Sequence, residues 1–122
     1  MTKPLALVLY ERLMPGSQLV NRLQDLGYRT ETLSDSKSLV DHAEKTKPML
    51  VLADLEPASA QVSEALSRLK KHSATAHLPI IAFCADNSAD LQNTAKAATL
   101  VVTDTAITNH LPQFLQQALQ FD

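Results

Sequence analysis

Three acids and one thiol stand where they could do chemistry. Asp54 ends the apolar run Met49-Leu50-Val51-Leu52-Ala53, Glu11 follows Leu5 to Leu9 and Tyr10, and Cys84 ends Ile80-Ile81-Ala82-Phe83. Asp104 follows a fourth run, Leu100 to Thr103. An acid at the end of a buried strand would stand at the edge where open α/β sheets place ligands. Each residue also has a plainer reading. Asp is a common turn residue. A lone Cys at a strand end is more often a small buried hydrophobe than a nucleophile, and no His has sequence support as its base. His72 and His77 flank a connection and read as solvated loop residues, not a metal pair. Arg68, Lys70 and Lys71 read as the wet, basic end of a helix.

The elements that would position these residues follow from hydrophobic period. The run ending at Asp54 is unbroken and bounded by Pro48 and Pro57, the pattern of a strand buried on both faces. Leu5 to Leu9 and Ile80 to Cys84 have the same character, whereas Tyr28 to Leu33 alternates with Arg29 and Glu31 and reads as an edge strand. Ser17 is placed to cap a helix with Leu19, Val20, Leu23 and Leu26 inward, ended by Gly27 as its left-handed cap. Leu39, Val40 and Ala43 face inward on the next helix. Ser59 caps another, with Val62, Ala65, Leu66 and Leu69 as its stripe. A short helix is expected from Ser88 through Leu91, Ala95 and Ala98. A final helix turns Leu111, Phe114, Leu115, Ala118 and Leu119 inward and Gln113, Gln116, Gln117 and Gln120 outward.

Five strand-then-helix units predict an α/β fold: a five-stranded parallel sheet, helices on both faces, right-handed crossovers. The most apolar strands belong at the centre and the polar second strand at an edge, giving the flavodoxin-like order 2-1-3-4-5. Asp54, Glu11 and Cys84 would then gather at the carboxyl edge, where open α/β sheets place ligands.

Composition narrows the function. Residues 1–122 make one domain, 45% hydrophobic and 20% charged, with a net charge of −2. There is no basic surplus for nucleic acid and no polybasic anchor for a membrane. The only glycines are Gly16 and Gly27, far too few for a phosphate-cradling loop. One cysteine allows no internal disulfide. The first apolar run is too short for a signal peptide or membrane helix, so the expected location is the cytoplasm.

The order of units, the segments Ala53-Asp54-Leu55-Glu56-Pro57 and Leu78-Pro79-Ile80-Ile81-Ala82-Phe83-Cys84-Ala85, and the spacing from Glu11 through Gly27-Tyr28 to Asp54 resemble the receiver domains of bacterial two-component response regulators. The likeness covers essentially the whole chain. It implies that Asp54 is at the phosphoacceptor position, Glu11 at the second position of a Mg²⁺-holding acid pair and Tyr10 at the first. It also implies Cys84 in place of a Thr or Ser, Asp104 in place of a Lys that precedes Pro, and Val101 in place of an aromatic switch residue.

These departures weaken phosphoryl chemistry. Tyr10 removes a carboxylate from the metal side. Asp104 puts repulsion where a cation would offset charge, and a charge pair at ~4 Å in an effective dielectric of ~20 is worth roughly 4 kcal/mol. Cys84 offers only a weak donor. Three outcomes stay open: a cation held by Glu11, Asp54 and Asp104, slow phosphorylation of Asp54, or a relic pocket. The charge inventory favours the relic. The expectation is a single-domain pseudo-receiver, not an enzyme, with no cofactor unless Mg²⁺ binds at Glu11 and Asp54. Its partner would be a protein, a histidine kinase or other signalling protein, or a second copy. By analogy with receivers, the contact surface would use Gln92, Lys96, Val101, Gln113, Gln116, Gln117 and Gln120. The rival expectation is a single-domain response regulator phosphorylated on Asp54 by a histidine kinase.

Overall fold

The computed structural model describes residues 4–10, 13–55, 59–84 and 98–120, with side chains left out at 13–15, 59 and 118–120. The strands are β1 (Leu5–Leu9), β2 (Arg29–Leu33), β3 (Leu50–Asp54), β4 (Ile80–Cys84) and β5 (Leu100–Thr103). The helices are α1 (Leu13–Asp25), α2 (Leu39–Thr46, preceded by a 3₁₀ turn at Ser36–Ser38), α3 (Ser59–Lys71), α4 (Asp104–Asn109) and α5 (Leu111–Gln120). All strand pairs are parallel, in the order β2-β1-β3-β4-β5. Among the described residues no helix is long and apolar enough to cross a membrane.

Burial on both faces explains why β1, β3 and β4 are apolar throughout. Alternate residues enter separate cores. Leu7, Leu9, Val51, Ala53, Ile80 and Ala82 pack under α2 and α3, against Leu39, Ala43, Val62, Ala65, Leu66 and Leu69. Ala6, Val8, Leu50, Leu52, Ile81 and Phe83 pack on the other face, against Leu19, Leu23, Ile107, Leu111 and Leu115 of α1, α4 and α5. β2 pairs with β1 alone and is half-exposed, as its polar sequence requires.

Local starts and stops differ from the sequence reading in four places. α1 begins at Leu13, so Pro15, Gly16 and Ser17 lie inside it and Ser17 is not its cap. The first N–H groups of a helix have no intrahelical partner, so Pro15 forfeits nothing there. Leu26 falls beyond α1 and is 45% exposed, and Met49 precedes β3 at 48% exposure, so neither is core. α2 ends on Lys47 at φ 51, a left-handed cap made without glycine. α4 was not foreseen: Thr103 caps it, its Oγ1 accepting from the Ala106 N–H at 3.2 Å. Gly27 does adopt φ +91 after α1. The expected helix at 88–98 lies, apart from Ala98, outside the described residues.

Gly16 has a tertiary reason to be glycine. A Cβ there would sit 2.2 Å from Tyr10 Cδ2 and 2.5 Å from Tyr10 Cγ, a clash with one edge of the ring. The Tyr10 ring therefore lies on the bare backbone of α1 and packs toward the core on that face. A mid-helix glycine costs up to ~1 kcal/mol relative to alanine, and the ring contact offsets that cost.

Two measurements check this packing. Leu7→Ala and Ile81→Ala should each destabilise by about 2–5 kcal/mol in urea titration, as deletions at fully buried positions do; midpoints that stay put would show these strands are not the core. Gly16→Ala should lower the melting temperature despite alanine's better helix propensity, while the Tyr10→Ala/Gly16→Ala double variant should regain part of the loss. A simple gain in stability from Gly16→Ala alone would mean the ring is not seated there.

Candidate functional site

The carboxyl edge of the sheet is built in two rows. Leu9 pairs with Ala53, so Tyr10 and Asp54 are the next residues along their strands, and Asp54 pairs with Phe83. Phe83 in turn pairs with Val102. By strand alternation this row continues Ala6–Val8, Leu50–Leu52 and Ile81, the α1 side of the sheet. Tyr10 extends the ladder, its N–H donating to the Leu33 carbonyl at 2.9 Å. Asp54 is 1% exposed, a carboxyl residue enclosed at the end of the central strand. The residue is not without a partner.

One residue further, Cys84 pairs with Thr103 on β5. Cys84 is fully buried and belongs to the core under α2 and α3. Its Sγ reaches toward the Val102 carbonyl at 3.8 Å, a weak thiol contact. The thiol is thus a core side chain by its packing, on the face opposite the Tyr10–Asp54 row.

Asp104 is half-buried and is the first residue of α4. An acid in the first turn complements the positive end of a helix, which is a structural reason for its presence. The strand itself ends at Thr103. The resemblance expects a lysine to end this strand with proline after it. The strand-ending residue is therefore a hydroxyl, and Asp104 takes the first helical position, a place that proline favours. No lysine stands at either position.

Glu11 lies outside the described residues, as do Gln92 and Lys96. Among the described residues no cluster of three or more His, Cys, Asp or Glu side chains gathers to hold a metal. Among the described residues, Asp54 and Asp104, with Tyr10 turned onto α1, do not make a Mg²⁺ cage by themselves. Val101 is half-buried on β5, packed toward the α2–α3 core. Gln113, Gln116 and Gln117 are exposed on α5, and Gln120 is its last residue.

Sequence reasoning missed the partners of two histidines. His72 is a partly exposed loop residue in the bend after α3, as expected, but its Nε2 comes within 3.0 Å of Glu44 Oε1 on α2 without making a hydrogen bond. His42 Nε2 contacts Glu31 Oε2, joining α2 to β2. The 11-residue separation of Glu31 and His42 carries no local signal; only the crossover of β2 into α2 brings them together.

No family model matches the sequence, and no curated protein is similar to it at a significant level. Solved structures are. The chemotaxis protein CheY4 of Vibrio cholerae superposes with a TM-score of 0.84 at 21% identity, over 97% of this chain and 100% of that one. The receiver domain of the sensor histidine kinase PA1611 of Pseudomonas aeruginosa, with a magnesium ion in its active-site cleft, gives 0.85 at 20% identity over 98% and 99%. The receiver domain of a modulated diguanylate cyclase from Desulfovibrio desulfuricans gives 0.81 at 20% identity over 98% and 95%. With β2-β1-β3-β4-β5 order, crossover helices on both faces and Asp54 at the carboxyl end of the central strand, the chain has the fold of response-regulator receiver domains.

Proposed function

We propose that the protein is a receiver-like signalling protein that works by contact with other proteins and not through an aspartyl-phosphate switch. The observation that carries this reading is the make-up of the carboxyl edge. Tyr10 is level with Asp54 and its ring is committed to Gly16. The fifth strand ends in Thr103 and Asp104 with no lysine. A transferred phosphoryl group adds close to two negative charges, and catalysis of its transfer rests on preplaced opposite charge. The described end of the fifth strand supplies a hydroxyl and then an acid, and no cation. On this reading the chain carries out no catalysis of its own, and Mg²⁺ has no functional part.

The contact surface we assign is the outer side of β5 and α5. From Thr105 to Phe121 the sequence holds no Asp, Glu, Lys or Arg, although 24 such residues occur in the chain (11 Lys+Arg and 13 Asp+Glu). Gln113, Gln116 and Gln117 stand exposed beside half-buried Phe114. A face without charge can meet its own copy across a two-fold axis with no like-charge repulsion, since an isologous contact sets each residue near its own image. A second copy or a signalling partner such as a histidine kinase is the class of occupant.

Incubation with Mg²⁺ and a small phosphodonor, followed by intact mass, should leave Asp54 unmodified after an hour, and Asp54→Asn should fold and bind like the parent. Near-stoichiometric acylphosphate within minutes would overturn the reading and promote the rival, phosphorylation of Asp54 by a kinase. Sedimentation velocity tests the surface: Gln113→Glu/Gln116→Glu/Gln117→Glu should shift self-association toward the monomer while changing stability by no more than about 0.5 kcal/mol, as exposed helix positions do. Undiminished association by that variant would place the contact elsewhere.

A further inference from the structure

α2 and α3 lie side by side on the face of the sheet away from α5. The valley between them, bordered by the 3₁₀ turn, holds two adjoining cavities of about 360 and 430 Å³ that share Ser36, Lys37, Ala65 and Arg68. Buried Ala65 and half-buried Val40 form its apolar floor. Across the two cavities the permanent charges are Lys37, Arg68 and Lys71 against Asp41 and Glu64, three cations to two acids on a chain of net charge −2, and Asp41 is the one acid lining the larger cavity.

The cations are set there by the fold. Arg68 and Lys71 are three residues apart in the last turn of α3, so they share a face at the negative end of that helix. Lys37 approaches from the turn before α2, which Asp35 holds by accepting from the Lys37 N–H at 3.0 Å. Among the described residues neither Lys37 nor Lys71 has a carboxylate partner. Arg68 meets Glu64 at 2.7 Å, but both side chains are 64% exposed, and a solvated pair of that kind is weak enough to exchange for another.

We propose that this valley docks an extended acidic segment of a partner protein, with its carboxylates against Lys37, Arg68 and Lys71 and a small apolar side chain on Val40 and Ala65. Exposed walls cannot enclose a small ligand, which ordinarily loses most of its surface to a pocket. From Gln61 to Lys71 the α3 wall runs about 15 Å at ~1.5 Å per residue, enough for roughly four or five residues of extended chain at ~3.3 Å each. The site is on the other side of the sheet from the β5–α5 surface, so the two stand or fall separately.

A fluorescein-labelled peptide of alternating Glu and Val, titrated at low ionic strength with anisotropy and amide chemical shifts as readouts, tests this. Binding should be saturable and weaken with salt, and shift changes should concentrate at residues 36–41 and 61–72. Lys37→Gln/Arg68→Gln/Lys71→Gln should weaken it about tenfold, the combined effect expected of three exposed charge pairs, and Asp41→Asn should tighten it. The shift map on the unaltered protein keeps the test valid if the triple variant folds poorly. Absent or non-saturable binding, shifts that map elsewhere, equal affinity in the folded triple variant, or equal competition by inorganic phosphate would overturn the proposal.

Discussion

The structure depends on three neighbouring strands that can tolerate water on neither face. β1, β3 and β4 are buried at every position, and a parallel sheet of that kind is stable only when crossover helices cover both sides. Each face has its own core, and each helix owes most of its stability to the stripe it lays on one of them. Removing a leucine from either row uncovers the interior of a sheet, which no surface rearrangement can repair.

That same constraint sends the chain's few polar strand residues to the sheet's rim. Asp54 stands at the end of the central strand because the rows before it belong to the core. What surrounds it at the rim is decided by neighbours distant in sequence. The Tyr10 ring lies on α1 because Gly16 leaves room for it, and Cys84 sinks into the opposite core. Asp104 is drawn into the first turn of a helix capped by Thr103. A rim assembled this way is, among the described residues, a packed end of the sheet.

α2 is short, eight residues, and its hydrophobic contribution rests on Leu39 and Ala43 with Val40 partly covered. Two polar contacts supplement it: His42 with Glu31 of β2 and His72 with Glu44. They lie on its two sides, one toward β2 and one toward the end of α3. The valley beside α3 has its shape because α2 is held there, and its charge because the last turn of α3 is basic.

Much of this was legible in residue order. Unbroken apolar runs identify strands covered on both faces, an alternating polar run identifies an edge, and their succession with helices leaves a parallel sheet in one order, because hydrophobic period is a local property of the chain. The stripes of α2 and α3, the cap at Gly27 and the place of Asp54 at a strand end are local in the same sense. Tertiary structure alone decided the rest. That Gly16 exists for the Tyr10 ring, that Cys84 faces away from Asp54, that His42 and His72 find Glu31 and Glu44, and that Lys37 joins Arg68 and Lys71 across a valley are relations between segments 6 to 34 residues apart. Nothing in either segment of such a pair encodes its partner. The contact exists only once the sheet has closed and the crossovers have brought the two surfaces within reach.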